Sequence, residues 1–195
     1  MTDENELVCL ARQGSEDAFG HLVSAYQTPV YNLAYRMLGN AVDAEDAAQE
    51  TFVRAYTHLA RFDPSRSFKT WILSIASHYC IDRIRRRRIN WLPLEEEIAE
   101  ADGLARPDPN PVTVVVQREQ EKMIQDLLSH LSPIDRAAVT LLYWYDYSYE
   151  EIAETLDLTV SAVKSRLFRS RRAMGEILCA SAGRTESDGG MRNAV

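Results

Sequence analysis

The stretch SYEEIAETLDLTVSAVKSRLFRSRR, residues 148–172, decides the fold of the second half of this chain. Ser148 with Glu151 three positions later has the spacing of a capping box, which predicts that a helix begins there. The letters DLT predict a sharp turn, after which Thr159 or Ser161 is placed to cap a second helix. Two short helices joined by such a turn predict a helix-turn-helix.

The second helix of this motif has a basic outer face. Val163 and Leu167 are placed to point inward, and no acidic residue lies between Asp157 and Glu176. The outer face carries Lys164, Ser165, Phe168, Arg169 and Arg172. A helix-turn-helix places such a face in the major groove of DNA, with flanking cations on phosphates. The competing interpretation is an amphipathic helical hairpin with a solvated basic face, but the agreement of caps, turn and charge favours DNA binding.

The whole chain has a globular composition and an uneven charge distribution. Its 195 residues are 46% hydrophobic and 26% charged, with a formal net charge of -7, which predicts one or two small domains. Positive charge gathers in residues 83–88 and 164–172. Two basic islands in an acidic protein indicate two anion-binding surfaces.

Several classes of protein are excluded by what the sequence lacks. No apolar run approaches the length of a membrane span, and the acidic start MTDENE lacks signal-peptide features. We therefore expect a cytoplasmic protein without direct membrane insertion. Three widely separated cysteines predict neither disulfides nor a metal site. Without a recognisable nucleophile, catalytic acid pair or phosphate loop, we expect no enzyme activity, no cofactor and no small-molecule substrate.

Helix start and stop signals divide the first part of the chain. Ser15 is placed to cap a helix, and Thr28 with Pro29 predicts the start of another, which Gly39 can end. Asp43 is the next predicted N-cap. We find no strand pattern in the sequence, so every predicted element is helical.

A continuous buried helix face is predicted after Asp43, because small and apolar residues recur at steps of three and four. They are Ala44, Ala47, Ala48, Thr51, Phe52, Ala55, Tyr56 and Leu59. Residues 62–67 then predict a turn, and from Phe68 a long helix runs into a cluster of arginines.

A break in helical periodicity divides the chain into two parts. Four prolines and a cluster of glutamates fall between Leu92 and Val112, a composition typical of a linker. About twenty residues at roughly 3.3 Å each span about 66 Å, comparable with two turns of DNA. We predict an all-α protein of two small helical domains joined by a flexible linker, the second a helix-turn-helix domain. The predicted segments are 1–91, the linker 92–112, 113–180, and a disordered tail 181–195.

Five arginines occupy the six positions from Arg83 to Arg88. Arginines at the C-terminal end of a helix are often a solvated face that the helix dipole favours. Aromatic rings beside cations are also how proteins hold unstacked bases, and Phe62 and Trp71 lie nearby in the sequence. Trp71 fits the apolar face of its helix equally well, so the residues alone leave both interpretations open.

Three motifs together resemble the bacterial sigma factors of the extracytoplasmic-function type. DAEDAAQETFVRAY (43–56) is similar to the family helix that binds core RNA polymerase. FKTWILSIASHYCIDRIRRRR (68–88) is similar to the helix that melts promoter DNA and meets the minus-ten element. Residues 148–172 are similar to the module that reads the minus-thirty-five element. The motifs stand in the family's order, and the resemblance covers roughly residues 16–178.

The resemblance implies a function in transcription initiation and assigns the site residues. Core polymerase would bind Asp46, Gln49, Glu50 and Val53. The minus-ten element would be melted and held by Phe62, Ser65, Arg66, Ser67, Trp71, Arg83, Arg86 and Arg87. The minus-thirty-five element would bind Lys164, Ser165, Phe168, Arg169 and Arg172. The polymerase flap would dock around Leu141, Leu142 and Tyr145.

On this resemblance the partners are core RNA polymerase, promoter DNA and an anti-sigma factor. Two other classes of protein stay open. One is a helix-turn-helix DNA-binding regulator whose helical first domain senses a ligand or dimerises, and the other is a structural adaptor between proteins. Both predict no promoter-specific initiation when the chain is added to purified core polymerase.

Overall fold

The computed structural model describes residues 4–89 and 111–188, and the side chains of residues 4–87 and 119–180. Every regular element in these ranges is helical, so the all-α prediction is confirmed. A 3-10 turn at Leu59–Arg61 follows α3. The α-helices are α1 (Glu4–Arg12), α2 (Glu16–Leu38), α3 (Ala41–His58), α4 (Phe68–Ile89), α5 (Pro111–Ser129), α6 (Pro133–Tyr145), α7 (Tyr149–Thr155) and α8 (Val160–Asp188). Helices α1–α4 form a first lobe and α5–α8 form a second lobe.

Helix α2 is the centre of the first lobe and packs against α1, α3 and α4. Its buried residues recur at helical spacing and include Leu22, Val30, Leu33 and Met37. The small face of α3 and the apolar face of α4 complete this core with Ala44, Ala47, Ala55, Ile72 and Leu73. Tyr56 departs from the predicted buried face of α3, because it is 49% exposed. Its ring packs against Phe19 with 5.0 Å between centroids.

Helix α2 runs without interruption through Pro29, so the helix boundary predicted at Thr28 is wrong. A proline inside a helix removes one backbone hydrogen bond. Packing outweighs that loss here, since Leu22 and Leu33 on either side of the proline are 1% and 0% exposed. The predicted end of this helix is confirmed, because Gly39 adopts a φ of 84° and its amide bonds back to the Tyr35 carbonyl.

Helix α3 begins three residues earlier than predicted. Its N-cap is Asn40, whose Oδ1 accepts a hydrogen bond from the Asp43 amide at 2.8 Å. Asp43 lies instead in the first turn, with its side chain buried in the lobe. Asn and Asp cap helices about equally well. The deciding factor is the short connection, because α2 ends at Leu38 and only Gly39 and Asn40 precede α3.

The second lobe is built on α6, α7 and α8. Ser132 caps α6 as predicted, with its Oγ accepting from the Asp135 amide at 3.2 Å and Pro133 at the start of the helix. Arg166 of α8 donates to Asp135 Oδ1 at 2.9 Å and so ties α8 to the start of α6. The fully buried side chains of this lobe include Leu128, Val139, Leu141, Ile152, Val163 and Leu167.

Two boundaries bear on the predicted domain limits. The predicted linker lies outside the described residues up to residue 110, and α5 begins at Pro111. Helix α8 continues to Asp188, so part of the segment expected to be disordered is helical, and its remainder lies outside the described residues. Extending an existing helix is much less costly than nucleating one, and no proline interrupts this segment.

The two lobes are in direct contact, because α2 packs against α6 and α4 packs against α6 and α7. The buried Arg136 donates from Nη1 to the Met37 carbonyl at 2.7 Å. The Arg36 guanidinium lies 4.0 Å from the centroid of the Trp144 ring, and burial lowers the pKa of Arg36. Polar and aromatic contacts therefore hold the lobes together.

The lobe contact also covers residues predicted to meet the polymerase flap. The Tyr145 hydroxyl donates to the Pro29 carbonyl, and burial raises the pKa of Tyr145. Leu141 is 0% exposed and belongs to the core of the second lobe. Leu141 is therefore inaccessible to a partner in this arrangement, and Tyr145 is half-buried.

Candidate nucleic-acid interface

Helices α7 and α8 form the helix-turn-helix with the local geometry that its sequence predicts. Ser148 Oγ accepts from the Glu151 amide at 3.2 Å, and the Glu151 carboxylate accepts from the Ser148 amide at 2.8 Å, which completes the capping box. Asp157 turns the chain with a φ of 53°. Thr159 Oγ1 accepts from the Ala162 amide at 3.2 Å, so Thr159 caps α8.

The predicted recognition face of α8 lies in solvent. Val163 and Leu167 are 0% exposed and pack inward, as predicted. The opposite side presents the exposed side chains Lys164, Ser165, Phe168, Arg169 and Arg172. Phe168 is 65% exposed, an apolar ring within a basic face and suited to the methyl group of thymine. Lysine and arginine around it supply donors for phosphates and guanine edges.

Two arginines of this basic island have surroundings that their sequence positions do not reveal. Arg166 turns inward to Asp135, so it is a packing contact of the second lobe. Arg171 hydrogen-bonds to the side chains of Tyr143 and Tyr149, and these bonds raise its pKa. The sequence analysis did not include Arg171 among the residues of the basic face. Its position two residues after Arg169, a predicted DNA contact, could have identified it.

The predicted melting turn joins α3 to α4 and rests on aromatic rings. Asp63 Oδ1 accepts from the Ser65 amide at 3.0 Å, a bond that closes the turn and lowers the pKa of Asp63. Ser65, Arg66 and Ser67 are exposed. Phe62 is 3% exposed. The structure therefore places Phe62 beneath the turn as a packing residue, out of reach of a DNA base in this conformation.

Trp71 belongs to the aromatic cluster beneath the turn. Its ring centroid lies 4.8 Å from that of Phe62 and 5.6 Å from that of Phe68. Tyr26 of α2 extends the cluster, 5.4 Å from Phe68. Trp71 is half-buried, so part of its ring packs in the lobe while the rest is accessible. The two interpretations of Trp71 from sequence are therefore compatible.

The arginines at the end of α4 do not form one positive surface. Arg83 and Arg87 both pair with the carboxylate of Asp43 on α3, with Arg87 Nη2 2.5 Å from Asp43 Oδ2. Arg86 is exposed. Of the three arginines predicted to share a DNA-facing side, two are thus engaged with a carboxylate of their own lobe. The side chain of Arg88 lies outside the described residues.

The outer face of α3 combines polar and apolar groups. Asp46, Gln49 and Val53 are exposed, and Glu50 forms an i,i+4 ion pair with Arg54 at 2.7 Å. Val53 is 60% exposed. Sequence reasoning missed two further exposed apolar side chains of this helix, Val42 and Tyr56. Exposed apolar groups among charges on one helix are typical of a protein-binding surface.

Two side-chain contacts bring the turn at residues 62–67 and helix α4 against the helix-turn-helix. Arg66 Nε lies 2.6 Å from Glu154 Oε1 of α7. His78 Nε2 of α4 lies 3.5 Å from Asp157 Oδ2 in the turn before α8. Exposed pairs of this kind contribute only about 0–1 kcal/mol each. Their importance is geometric, because they place the two predicted DNA-binding modules in contact.

Neither a metal centre nor a membrane span is found in the part of the chain that the structure describes. No group of three or more His, Cys, Asp or Glu side chains there is arranged to hold a metal ion. None of the helices described is both long and apolar enough to span a bilayer.

Each of the two lobes matches the model of a known protein family. Residues 22–89 match Sigma-70 region 2, and residues 121–174 match Sigma-70, region 4. The ECF RNA polymerase sigma factor SigW of Bacillus subtilis is 38% identical over 169 residues, which cover 84% of this chain and 90% of SigW. The chain belongs to the extracytoplasmic-function (ECF) RNA polymerase sigma factors. Its first lobe is a sigma region 2 and its second lobe is a sigma region 4.

Further relatives of this ECF sigma factor agree. The RNA polymerase sigma-H factor of Pseudomonas aeruginosa is 31% identical over 180 residues, covering 90% of this chain and 93% of that protein. The structure of CnrH in complex with the cytosolic domain of CnrY has a TM-score of 0.69 at 26% identity, covering 91% of this chain and 99% of that chain. The sigma factor RpoE in complex with the anti-sigma factor NepR from Bartonella quintana shares the fold, with a TM-score of 0.64 at 21% identity. That match covers 82% of this chain and 96% of RpoE.

Family membership decides between the functions left open by the sequence. The chain is a sigma factor that binds core RNA polymerase and promoter DNA in transcription initiation. A regulator with a sensing first domain is not favoured, because region 2 accounts for residues 22–89 of the first lobe. Sigma factors are generally non-enzymatic initiation factors.

Proposed function

We propose that this ECF sigma factor divides promoter recognition between three surfaces. The outer face of α3 docks on polymerase through Asp46, Gln49, Glu50 and Val53. The outer face of α8 reads the minus-thirty-five element as duplex. The turn at residues 62–67, with the exposed part of Trp71 and Arg86 of α4, holds the minus-ten element as it melts. The observation that carries the proposal is the exposed face of α8 from Lys164 to Arg172, a stretch without acidic residues, within a complete helix-turn-helix.

Opening of the promoter is driven by capture of unpaired bases in this mechanism. Flipping a base out of the duplex costs a few kcal/mol, and stacking a base on an aromatic ring returns about 1–3 kcal/mol. Trp71 offers such a ring beside the exposed residues Ser65, Arg66 and Ser67. Binding energy therefore performs the work, and no catalytic group, cofactor or small-molecule substrate takes part.

The lobes separate when the protein occupies a promoter. In the structure, Arg66 of the melting turn contacts Glu154 of α7. Glu154 and Lys164 are ten residues apart, so their Cα atoms lie within about 36 Å even with an extended chain. Promoter elements separated by about two DNA turns lie roughly 70 Å apart. The contact between Arg66 and Glu154 is therefore incompatible with binding to both elements.

An anti-sigma factor is the third partner we infer, acting in the cytoplasm. RpoE is described in complex with the anti-sigma factor NepR, and CnrH with the cytosolic domain of CnrY. On this chain, α3 offers exposed apolar groups that a competing protein could cover, including Val42, Val53 and Tyr56. A protein that covers this face would block polymerase.

Reconstituted transcription tests the proposed function. The chain is added to purified core polymerase with a genomic promoter library, and the 5′ ends of the transcripts are mapped. We expect discrete start sites that core polymerase alone does not produce, preceded by two shared sequence elements. Transcripts identical to those of core polymerase alone would contradict the proposal.

A further inference from the structure

The carboxylate of Asp43 lies between the helix that faces polymerase and the helix that faces the promoter. Asp43 is 5% exposed and lies in the first turn of α3. Each of its oxygens accepts from a different arginine of α4, Oδ1 from Arg83 and Oδ2 from Arg87. Asn40, the N-cap of α3, also donates to Oδ2. One buried carboxylate thus holds two arginines that are one helical turn apart.

The charge of Asp43 is kept by these partners. Burial raises the pKa of its carboxyl, but the hydrogen bonds from Asn40 and Arg87 and the charges of Arg87 and Arg83 outweigh burial and lower the pKa below its ordinary value. Removing either arginine to a DNA phosphate would leave a buried anion with one partner fewer, which is unfavourable. Arg83 and Arg87 are therefore held at Asp43 while it is charged, and part of their positive charge is offset there.

The other arginines of the run differ in this respect. Arg85 Nη1 lies 3.7 Å from Asp82 Oδ1, with both side chains more than half exposed. Arg86 is exposed, three residues after Arg83 and to one side of the paired face. Among the described side chains of the run, Arg86 is the cation with no acidic partner within ion-pair distance. The C-terminal end of α4 therefore offers DNA a smaller positive surface than the sequence suggests.

We propose that Asp43 is a positioning residue for promoter binding, which holds Arg83 and Arg87 against α3 and leaves Arg86 as the arginine of this group that contacts DNA phosphate. Arg83 also lies 3.3 Å from Asp46 Oδ2, a residue of the proposed polymerase face. The same network therefore joins the end of α4 to the surface that docks on polymerase. This inference rests on the proposed function, because it assigns roles within its minus-ten surface.

The salt dependence of DNA binding separates positioning from simple structural support. Each phosphate contact contributes about 0.7–0.9 to the slope of log K against log salt concentration. The experiment measures binding of holoenzyme, formed from the full chain and core polymerase, to a fork-junction DNA taken from a mapped promoter. The variants are Asp43→Asn, Arg86→Ala and Arg87→Ala. Glu45→Gln is the matched control, since Glu45 is an exposed acid of α3 outside the Asp43 network.

We expect Arg86→Ala to lower the slope by about 0.7–0.9, and Arg87→Ala to leave it unchanged. Asp43→Asn should steepen the slope by about the same amount for each arginine it releases, and Glu45→Gln should not change it. If Asp43 only stabilised the fold, Asp43→Asn would lower the melting temperature and leave the slope unchanged. That result would overturn the inference. A loss of slope in Arg87→Ala equal to that in Arg86→Ala would overturn it as well.

The experiment still gives an answer if one of its components fails. If Asp43→Asn does not fold, the comparison of Arg86→Ala with Arg87→Ala still decides which arginine contacts phosphate. If the unaltered chain forms no holoenzyme that selects a promoter, the proposed function itself fails, and this inference fails with it. That outcome is distinguishable because it precedes any substitution.

Discussion

Arg66 and Glu154 join the two lobes of this sigma factor, with Arg66 Nε 2.6 Å from Glu154 Oε1. Arg66 belongs to the turn that we assign to promoter melting, and Glu154 lies on the first helix of the helix-turn-helix. The side chains are 49% and 42% exposed, so the pair is a weak contact that water and salt can replace. On the proposed function, it marks a closed arrangement of the lobes that opens when the protein binds a promoter.

Separation of the two lobes can be measured with the natural cysteines of the chain. Cys9 and Cys179 are exposed and lie on different lobes, while Cys80 is buried and burial raises the pKa of its thiol to about 12. Thiol-reactive donor and acceptor dyes should therefore label Cys9 and Cys179. We expect energy transfer in the free chain to fall when core polymerase and promoter DNA are added. Unchanged transfer in a transcribing complex would contradict opening.

Phe168 and Leu167 form a matched pair for testing the recognition face. Phe168 is 65% exposed and Leu167 is 0% exposed. Phe168→Ala should change the free energy of unfolding by no more than about 0.5 kcal/mol and weaken binding to the minus-thirty-five element by about 1–3 kcal/mol. Leu167→Ala should instead destabilise the fold by about 2–5 kcal/mol. Thermal melts and duplex binding distinguish them, and intact duplex binding by Phe168→Ala would remove Phe168 from the interface.

Trp71 should act after the closed complex has formed. Trp71→Ala is expected to reduce permanganate reactivity of thymines in the melted element more than it reduces binding to duplex promoter. The neighbouring Ile72, which is 0% exposed, supplies the control, because Ile72→Ala should cost about 2–5 kcal/mol of stability without a selective effect on opening. Unchanged permanganate reactivity in the Trp71→Ala complex would show that Trp71 serves only in packing.

The ion pairs of Asp43 should make stability depend on pH in the acidic range. The pKa of Asp43 is lower in the folded chain than its ordinary value of 3.8. Its pairs therefore stabilise the fold fully above that value, and this contribution is lost as the pH falls through the folded pKa. Thermal melts of the unaltered chain and of Asp43→Asn should differ most near neutral pH and converge as the pH falls through the folded pKa of Asp43, which lies below 3.8. A difference that stays constant across this range would contradict the assignment.

The sequence predicts this fold well where the signals are local. The caps at Ser15 and Ser132, the end of α2 at Gly39 and the capping box of Ser148 and Glu151 all depend on residues within one helical turn. Each is a contact between neighbours in sequence, so each could be identified from spacing alone. The helix-turn-helix with its outward basic face follows from the same kind of signal.

Sequence patterns did not reveal contacts between residues that are far apart in the sequence. The pairing of Asp43 with Arg87 joins residues 44 positions apart, and the inward turn of Arg166 depends on Asp135, 31 positions away. A basic residue on a helix looks alike in sequence whether its partner is a phosphate, water or a distant carboxylate. Pro29 shows the same limit, because packing along α2 outweighs a local helix-breaking signal.

Simultaneous use of two promoter elements is the central claim, and promoter spacing tests it most directly. Run-off transcription is measured from a selected promoter whose spacer is lengthened by 5 or 10 base pairs. Polymerase holds both lobes at one distance, so we predict that transcription falls at both lengths. Five base pairs turn one element to the opposite side of the helix, and ten restore the phase but add about 34 Å. Undiminished transcription at both lengths would show that the two lobes do not read their elements together and would contradict the account.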